Sequence, residues 1–354
     1  MIDSPVVFLQ AIYPSGSPGC RVLFATCSTG REPVVSCPET IPSLDLHQFR
    51  SGDSTVRRRF VDGLGRGLTE YGFCNLEGHG IDPGLISRGY EAFQAFFALD
   101  DDVKRRYSGV EAGARGYTPF GIEHAKDHDK ADLKEFWQVG REIPEGHPCR
   151  GIYQQNVWPE EVPAFAEHAG ALFRGLEECA ESLLEALALF FDLPGRVFAD
   201  MIEDGNHVLR VIHYPPLSRE AMGDDGGALR SAPHEDINLI TLLCEATDSG
   251  LQLLSRDGEW LGVTTQPGQI VVDTGDMLAR LTNAVVPATT HRVVNPSSSA
   301  NRSRYSFPFF VHPFPSCDLT VMDEFVTPDR PARFEPITAG GYLEERLREI
   351  GLKV

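Results

Sequence analysis

The 354-residue sequence has no long hydrophobic run and no cysteine pair of the CxxC type. Its longest apolar stretch, residues 183–191, is interrupted by Glu185 and is too short for a membrane-spanning helix, which needs about 20 apolar residues. The eight cysteines are scattered, so neither a zinc knuckle nor a disulfide framework is indicated. No basic segment followed by an apolar one opens the chain, so we expect no secretory signal. We predict a cytoplasmic protein with reduced thiols.

Basic residues are scarce relative to acidic ones, with 32 Lys and Arg against 51 Asp and Glu and a formal net charge of −19. A surface that binds phosphate backbones needs clustered Lys and Arg. We therefore expect neither nucleic acid nor a membrane as a partner, whereas a small-molecule substrate is compatible with this charge. The sequence leaves the oligomeric state open, and a monomer is the working expectation.

Composition divides the chain into three regions. Residues 1–40 are rich in Ser, Pro, Gly and Cys, and we interpret them as a leader outside the main fold, with an extra strand on the domain as the alternative. Residues 41–200 are mainly helical in pattern, and residues 201–354 are mainly β-like with a closing helix near 341–350. Since no repeat or linker separates the last two regions, we predict a single catalytic unit, 41–354, in which the helical part packs around a β core.

Hydrophobic periodicity locates the main elements of this unit. Apolar residues recur at helical spacing in three segments, 54–71, 83–99 and 162–191. Short β-like runs follow between turns that contain Gly or Pro: 208–214, 237–245, 251–254, 270–273, 291–294 and 305–312. Recurrent short strands of this kind are typical of a sandwich or barrel.

Two histidines and one carboxylate form the pattern with the clearest chemistry. His234 and Asp236 stand two residues apart, and on an extended chain such residues point to the same side and can converge on one ion. His291 follows His234 after 56 intervening residues, a separation that suits antiparallel strands returning to the same end of a barrel. Such a triad leaves about three of six coordination positions open, as suits Fe(II) that activates oxygen. Zinc would usually take four ligands.

Arg304 and Ser306 form a second pair on one face of a strand, shortly after His291. A guanidinium beside a hydroxyl offers several donors to a carboxylate. The apolar residues around them would desolvate the arginine, so a buried anion is expected as its partner. A structural arginine paired with a protein carboxylate is the alternative, and the nearby triad favours a ligand.

In this order and spacing, these motifs resemble those of the Fe(II)/2-oxoglutarate-dependent oxygenases, most closely the isopenicillin N synthase-like branch. Further similarity lies in residues 211–216, 281–283 and 304–310, and in the leader-like segment 41–81. The resemblance implies a mostly β fold with flanking helices, built on a double-stranded β-helix or jelly-roll core.

The resemblance also assigns ligands. It implies Fe(II) bound by His234, Asp236 and His291, and 2-oxoglutarate bound by Arg304, Ser306 and Tyr214. Plant members usually carry Asn two positions before this tyrosine, where the chain has Ile212. A contact made by that Asn is therefore not expected here.

The implied activity is oxidation, by default hydroxylation, of an unactivated C–H bond in a small molecule. O₂ and 2-oxoglutarate are the co-substrates, and succinate and CO₂ are released. Three alternatives stay open: an Fe(II) oxidase or cyclase of the isopenicillin N synthase type that uses no 2-oxoglutarate, a non-catalytic jelly-roll binding protein, and a zinc hydrolase. The hydrolase would need a general base beside the metal, and Glu235 should point away from it.

The helical half offers candidates for the substrate pocket, for which core packing is the alternative. These are four aromatic residues: Tyr117, Phe120, Phe136 and Trp137. A polar cluster between them, His124, Asp127, His128 and Asp129, is more readily explained as a solvated loop than as a second metal site.

Overall fold

The computed structural model describes residues 41–108, 115–123, 131–218, 229–296 and 301–349. All of them belong to one compact unit, Glu39–Val354. The expected leader at 1–40 and the polar cluster at 124–129 lie outside the described residues. Within the described ranges, no helix has both the length and the apolar character needed to cross a bilayer.

Strands supply the core of the unit. Along the chain the described strands are β1 (Ser43–Asp45), β2 (Phe73–Glu77), β3 (Gly116–Thr118), β4 (Glu135–Gly140), β5 (Val208–Tyr214), β6 (Ser231–His234), β7 (Ile240–Cys244), β8 (Leu251–Leu254), β9 (Trp260–Gly262), β10 (Ile270–Thr274), β11 (His291–Val293), β12 (Arg304–Ser306) and β13 (Pro308–Val311).

Two sheets share these strands. The larger has the order β1-β2-β10-β7-β13-β5-β4-β3, with β12 also paired to β5, and the smaller has the order β6-β11-β8-β9. All pairs are antiparallel except β1 with β2. A cavity lined by residues of both sheets lies between them. This arrangement confirms the expected mostly β fold with a jelly-roll core.

Helices flank the larger sheet. They are α1 (Leu46–Ser51), α2 (Ser54–Glu70), α3 (Pro83–Phe97), α4 (Asp101–Arg105), α5 (Ala164–Phe190), α6 (Asp276–Leu281) and α7 (Ala339–Glu349). The carboxylate of Asp53 caps α2 by accepting from two backbone N–H groups, and Pro83 opens α3, where its missing N–H is not needed. The apolar stripe of α5, which includes Leu172, Leu176 and Leu183, is buried against α2, α3 and the sheet.

Successive side chains of β5 point alternately into the core under the helices and into the cavity between the sheets. Leu209 and Val211 join the core under the helices, whereas Ile212 and Tyr214 point the other way, into the cavity. In a strand, successive side chains point to opposite faces of the sheet. One strand therefore contributes to both the helical packing and the cavity wall.

The expected elements differ from the observed ones mainly around residue 236. The strand expected at 237–245 begins only at Ile240, because 235–239 form a turn, and the short strand β6 and helix α6 were not expected. The division of the catalytic unit at residue 200 stays a prediction.

Candidate active site

His234, Asp236 and His291 come together in the cavity between the sheets. His234 ends β6 and lies directly opposite His291, the first residue of β11, in antiparallel register. The Nε2 atoms of both histidines lie 3.9 Å from Oδ1 of Asp236. The candidate ligand atoms of the three side chains all lie within 4.8 Å of one another, so they form a candidate site for one metal ion.

The route by which Asp236 reaches this point differs from the sequence argument. That argument placed it on the same strand face as His234, but β6 ends at His234 and Asp236 lies in the turn that leads into β7. The backbone carbonyl of Asp236 accepts from the N–H of Asp276 at 2.8 Å, which anchors this turn to α6. The carboxylate is therefore positioned by a turn and not by strand alternation.

Hydrogen bonds determine which nitrogen of each imidazole carries the proton. Nδ1 of His234 lies 2.8 Å from the carbonyl of Ala232, and Nδ1 of His291 lies 3.1 Å from the carbonyl of Thr289. A carbonyl only accepts, so both Nδ1 atoms carry hydrogen, and the neutral tautomer with this hydrogen presents its lone pair at Nε2. Burial and the neighbouring His291 hold the pKa of His234 below its usual range, which favours the neutral ligand form.

The carboxylate of Asp236 is held by a short chain of polar side chains. Its Oδ2 accepts from the hydroxyl of Thr241, which in turn accepts from the amide of Asn238 at 2.9 Å. These bonds leave Oδ1 facing the two histidines. Sequence reasoning did not single out Thr241 or Asn238, although a threonine within the apolar run 237–243 was a visible signal.

Asp273 is a further buried carboxyl behind His291. Its Oδ2 lies 3.3 Å from Nδ1 of His291, and neither of its oxygens has a hydrogen-bond partner among the described residues. Burial, with Asp236 nearby, raises the pKa of Asp273 well above its usual range. Its position on β10 was not recognised in the sequence, because the pattern around it is that of an ordinary apolar strand.

Arg304 and Ser306 lie on β12 and also line the cavity. Arg304 is opposite Tyr214 on β5, and its guanidinium carbon lies 5.0 Å from the centre of the Tyr214 ring. The Arg304 side chain donates from Nη1 to Ser306 Oγ at 3.2 Å and from Nε to the backbone carbonyl of Asp248 at 3.1 Å.

The charge of Arg304 is not neutralised within the described part of the chain. The side chain is only 1 % exposed, and none of the described carboxylates forms an ion pair with it. The carboxylate of Asp248 instead pairs with the exposed Arg302 at 2.9 Å. A buried charge without a partner is unfavourable, so this environment fits the carboxylate of a ligand better than a structural role.

The four aromatic candidates for the substrate pocket occupy different places. Tyr117 and Trp137 lie in the core under the helices, where the Trp137 ring packs 4.7 Å from that of Phe96. Phe136, on the opposite face of β4, belongs to the small apolar cluster of Ile212 and Tyr214, whereas Phe120 is 44 % exposed. Only Phe136 therefore lies beside cavity-lining residues.

Another side of the cavity is a charged wall, formed by Lys134 and Arg210 with Glu123, that was not predicted from the sequence. Lys134 and Arg210 both line the cavity and share Glu123 as a counterion. Glu235, by contrast, is exposed, and its carboxylate accepts from the hydroxyl of Thr290 at 2.8 Å. As expected from the sequence, Glu235 is not placed to act as a base at the metal site.

A jelly roll that gathers two imidazoles, a carboxylate and a buried arginine with no carboxylate partner among the described residues is typical of the class of non-haem iron oxygenases. Comparison with known proteins agrees. Residues 41–161 match the family model described as non-haem dioxygenase in morphine synthesis N-terminal, and residues 205–313 match that of the 2OG-Fe(II) oxygenase superfamily.

Individual relatives carry the same description. The chain is 33 % identical to the 2-oxoglutarate-dependent dioxygenase citB of Monascus ruber over 76 % of its own length and 84 % of the relative. It is 30 % identical to the 2-oxoglutarate-dependent dioxygenase ecdK of Aspergillus rugulosus, over 87 % and 98 % of the two chains. The chain therefore belongs to the family of 2-oxoglutarate- and Fe(II)-dependent oxygenases, which use Fe(II), 2-oxoglutarate and O₂.

Solved structures agree with this assignment. A 2OG-Fe(II) oxygenase family protein from Caulobacter crescentus is 42 % identical, with a TM-score of 0.78, and the match covers 88 % of this chain and 99 % of the other. A Neurospora crassa protein solved in complex with α-KG and thymine is 26 % identical, with a TM-score of 0.78 and coverage of 89 % and 98 %.

Proposed function

We propose that this oxygenase hydroxylates an unactivated C–H bond of a small molecule, with His234, Asp236 and His291 as the iron ligands. The observation that carries the proposal is that the Nε2 atoms of both histidines lie 3.9 Å from Oδ1 of Asp236, inside the cavity that Arg304 also lines. When bound, Fe(II) supplies the positions at which 2-oxoglutarate and O₂ react.

Arg304 is the proposed anchor for the distal carboxylate of 2-oxoglutarate, together with Ser306 and Tyr214. Among the described residues, Nη2 of Arg304 has no hydrogen-bond partner, and Nη1 and Ser306 Oγ lie side by side. A guanidinium fork beside a hydroxyl suits a carboxylate better than it suits a neutral group. The Tyr214 ring covers the guanidinium and restricts its orientation.

The rest of the wall excludes water from the reacting groups. Apolar side chains from both sheets surround the triad: Phe73, Leu243, Leu251, Val271 and Val293. Polar interactions in such a water-poor cavity are stronger than in bulk solvent. The exposed position of Glu235 argues against the zinc hydrolase alternative, since this carboxylate faces solvent and accepts from Thr290.

For the substrate we propose a small molecule, and for the protein a cytoplasmic monomer that binds no nucleic acid. The complex of the Neurospora crassa relative with thymine supports a small substrate, and so does the cavity between the sheets. An oxidase or cyclase that uses no 2-oxoglutarate is the second candidate, and the relatives named as 2-oxoglutarate-dependent dioxygenases favour the first.

Anaerobic titration with Fe(II) and 2-oxoglutarate tests the proposal through the metal-to-ligand charge-transfer band. We expect the band in the wild-type protein and its loss in Asp236→Ala, because removal of the carboxylate leaves two ligands. Glu235→Ala is the matched control: it removes a neighbouring carboxylate that faces solvent, and it should leave the band unchanged. Iron binding retained by Asp236→Ala would refute the ligand assignment. Once a substrate is known, oxygen uptake without formation of succinate would favour the oxidase or cyclase that uses no 2-oxoglutarate.

A further inference from the structure

Strand β5 runs along the cavity and places a second polar group far from the co-substrate anchor. Tyr214, Ile212 and Arg210 all line the cavity from the same face of this strand. Four residues of a strand span about 13 Å, so Arg210 lies well beyond Tyr214 and Arg304. The cavity therefore has two polar ends, one around each arginine.

A network of hydrogen bonds holds the side chain of Arg210 in place. Its Nη1 lies 3.1 Å from both carboxylate oxygens of Glu123, and its Nε and Nη2 donate to Oε1 of Gln138 at 3.3 and 3.2 Å. The Phe136 ring centre lies 4.3 Å from the guanidinium carbon. One N–H of Nη2 has no acceptor among the described residues, and Arg210 lines the cavity, so this donor is available there.

The charges at this end are balanced, unlike those at Arg304. Lys134 lies 2.9 Å from Glu123 and 2.8 Å from Asp132, so two cations face two carboxylates. Burial alone would raise the pKa of Glu123, but Arg210 and Lys134 outweigh it and lower this pKa to about 2, so the carboxylate stays charged. An anionic ligand here would add an uncompensated buried charge, whereas a carbonyl oxygen needs only a donor.

An apolar surface lies beside the available donor. The Phe310 ring lines the cavity, with its centre 5.4 Å from the guanidinium carbon of Arg210. A flat ring placed against Phe310 can direct an oxygen in its plane toward Nη2 of Arg210. This combination favours a planar molecule with a carbonyl group over an aliphatic chain.

We infer that Arg210 is a specificity-determining residue that binds a carbonyl oxygen of an uncharged, planar substrate, such as a cyclic amide or ketone. The inference rests on the proposed function and adds the substrate class to it. The two arginines then divide recognition by charge: Arg304 takes the anionic co-substrate, and Arg210 takes a neutral substrate.

Binding to the protein loaded with Fe(II) and 2-oxoglutarate under anaerobic conditions tests this inference. The probes are three sets of compounds of similar molecular size: cyclic amides and ketones including thymine, aromatic carboxylates including benzoate, and hydrocarbons including toluene. We expect at least one carbonyl compound to bind, measured by calorimetry and by perturbation of the charge-transfer band. Loss of the charge-assisted hydrogen bond should weaken it by about 10- to 100-fold.

Two variants remove the hydrogen bond from Arg210 to the substrate and keep the charges around Arg210 balanced. Arg210→Gln combined with Glu123→Gln removes one charge of each sign, and Arg210→Lys keeps the charge but loses the guanidinium fork. The matched control is Arg141→Gln with Glu177→Gln, a part-buried pair that does not line the cavity. Thermal unfolding verifies that each variant is folded.

The outcomes separate this inference from the proposed function. If the charge-transfer band with 2-oxoglutarate is absent in the wild-type protein, the proposed function fails and the inference fails with it. If the band is present, three results would overturn only the inference. These are that no carbonyl compound binds, that carboxylates or hydrocarbons bind more tightly than carbonyl compounds, or that folded Arg210 variants bind carbonyl compounds as the wild type does. The inference is supported if the Arg210 variants bind carbonyl compounds more weakly but bind 2-oxoglutarate with unchanged affinity, while the Arg141 control variant binds both like the wild type.

Discussion

Replacing Arg304 with methionine should separate a ligand anchor from a structural arginine. In the ligand-free protein its charge is buried and has no ion-pair partner among the described residues. Breaking a buried protein ion pair costs about 3–5 kcal/mol of stability, so a structural arginine would show a loss of that size. We expect Arg304→Met to lose less, because methionine fills similar volume and the variant gives up only two hydrogen bonds, to Ser306 and to the carbonyl of Asp248.

The effect on 2-oxoglutarate should be much larger. Losing a desolvated charged partner costs about 2–5 kcal/mol, or about 30- to 5000-fold in dissociation constant. Wild-type protein should gain about 2.7 kcal/mol of stability at a ligand concentration of 100 dissociation constants, and Arg304→Met should lose this gain. Arg302→Met is the matched control, since Arg302 is exposed and pairs with the carboxylate of Asp248.

Chemical denaturation with and without 2-oxoglutarate, and anaerobic titration, measure both quantities. An Arg304→Met protein that binds 2-oxoglutarate like the wild type would refute the anchor assignment. A loss of several kcal/mol in the ligand-free variant would show that Arg304 is structural. Equal effects from Arg302→Met would attribute the change to surface charge rather than to the buried guanidinium.

Two further predictions concern the support of the site and the pH dependence of stability. Thr241→Val removes the hydroxyl that orients Asp236 while keeping the volume, so Fe(II) affinity should fall about 10- to 100-fold with the fold intact, and unchanged affinity would contradict this role. Burial lowers the pKa of His207 well below its usual range and that of His312 to about 4. At these two sites the unfolded chain then binds more protons, so their contribution to stability should be present above about pH 6.5 and fall by about 2 kcal/mol or more by pH 5. The raised pKa of the buried Asp273 acts in the opposite direction, so urea unfolding at pH 7.5 and 5 is measured in an Asp273→Asn variant, where an unchanged midpoint would contradict the prediction.

The residues that could be predicted from the sequence are those whose partners are close in the chain or belong to a recognisable pattern. Arg304 and Ser306 are two residues apart on one strand, so alternation alone places them on one face. His234 and Asp236 were also predicted to lie together, but a turn and not strand alternation positions Asp236. Their assembly with His291 needed the family resemblance, because 56 intervening residues permit many folds.

The charged wall could not be predicted in the same way. Glu123, Lys134 and Arg210 come from three separate stretches, and their contacts depend on the pairing of β4 with β5. The orientation of Phe136 and Trp137 was equally hidden, because all six residues of β4 are buried and both faces of the strand are covered. Without alternating polar and apolar residues, the sequence does not show which side chains of such a strand face which side of the sheet.

The pairing of His291 with His234 depends on the register of β11. A slip of β11 by a single residue would replace His291 with Thr290 or Arg292 beside His234 and turn the imidazole to the other side of the sheet. Arg292 opposes such a slip from the outer face, where its guanidinium carbon lies 3.8 Å from the centre of the Trp260 ring. A chain with β11 slipped by one residue would therefore lack one of the two imidazoles of the proposed iron site.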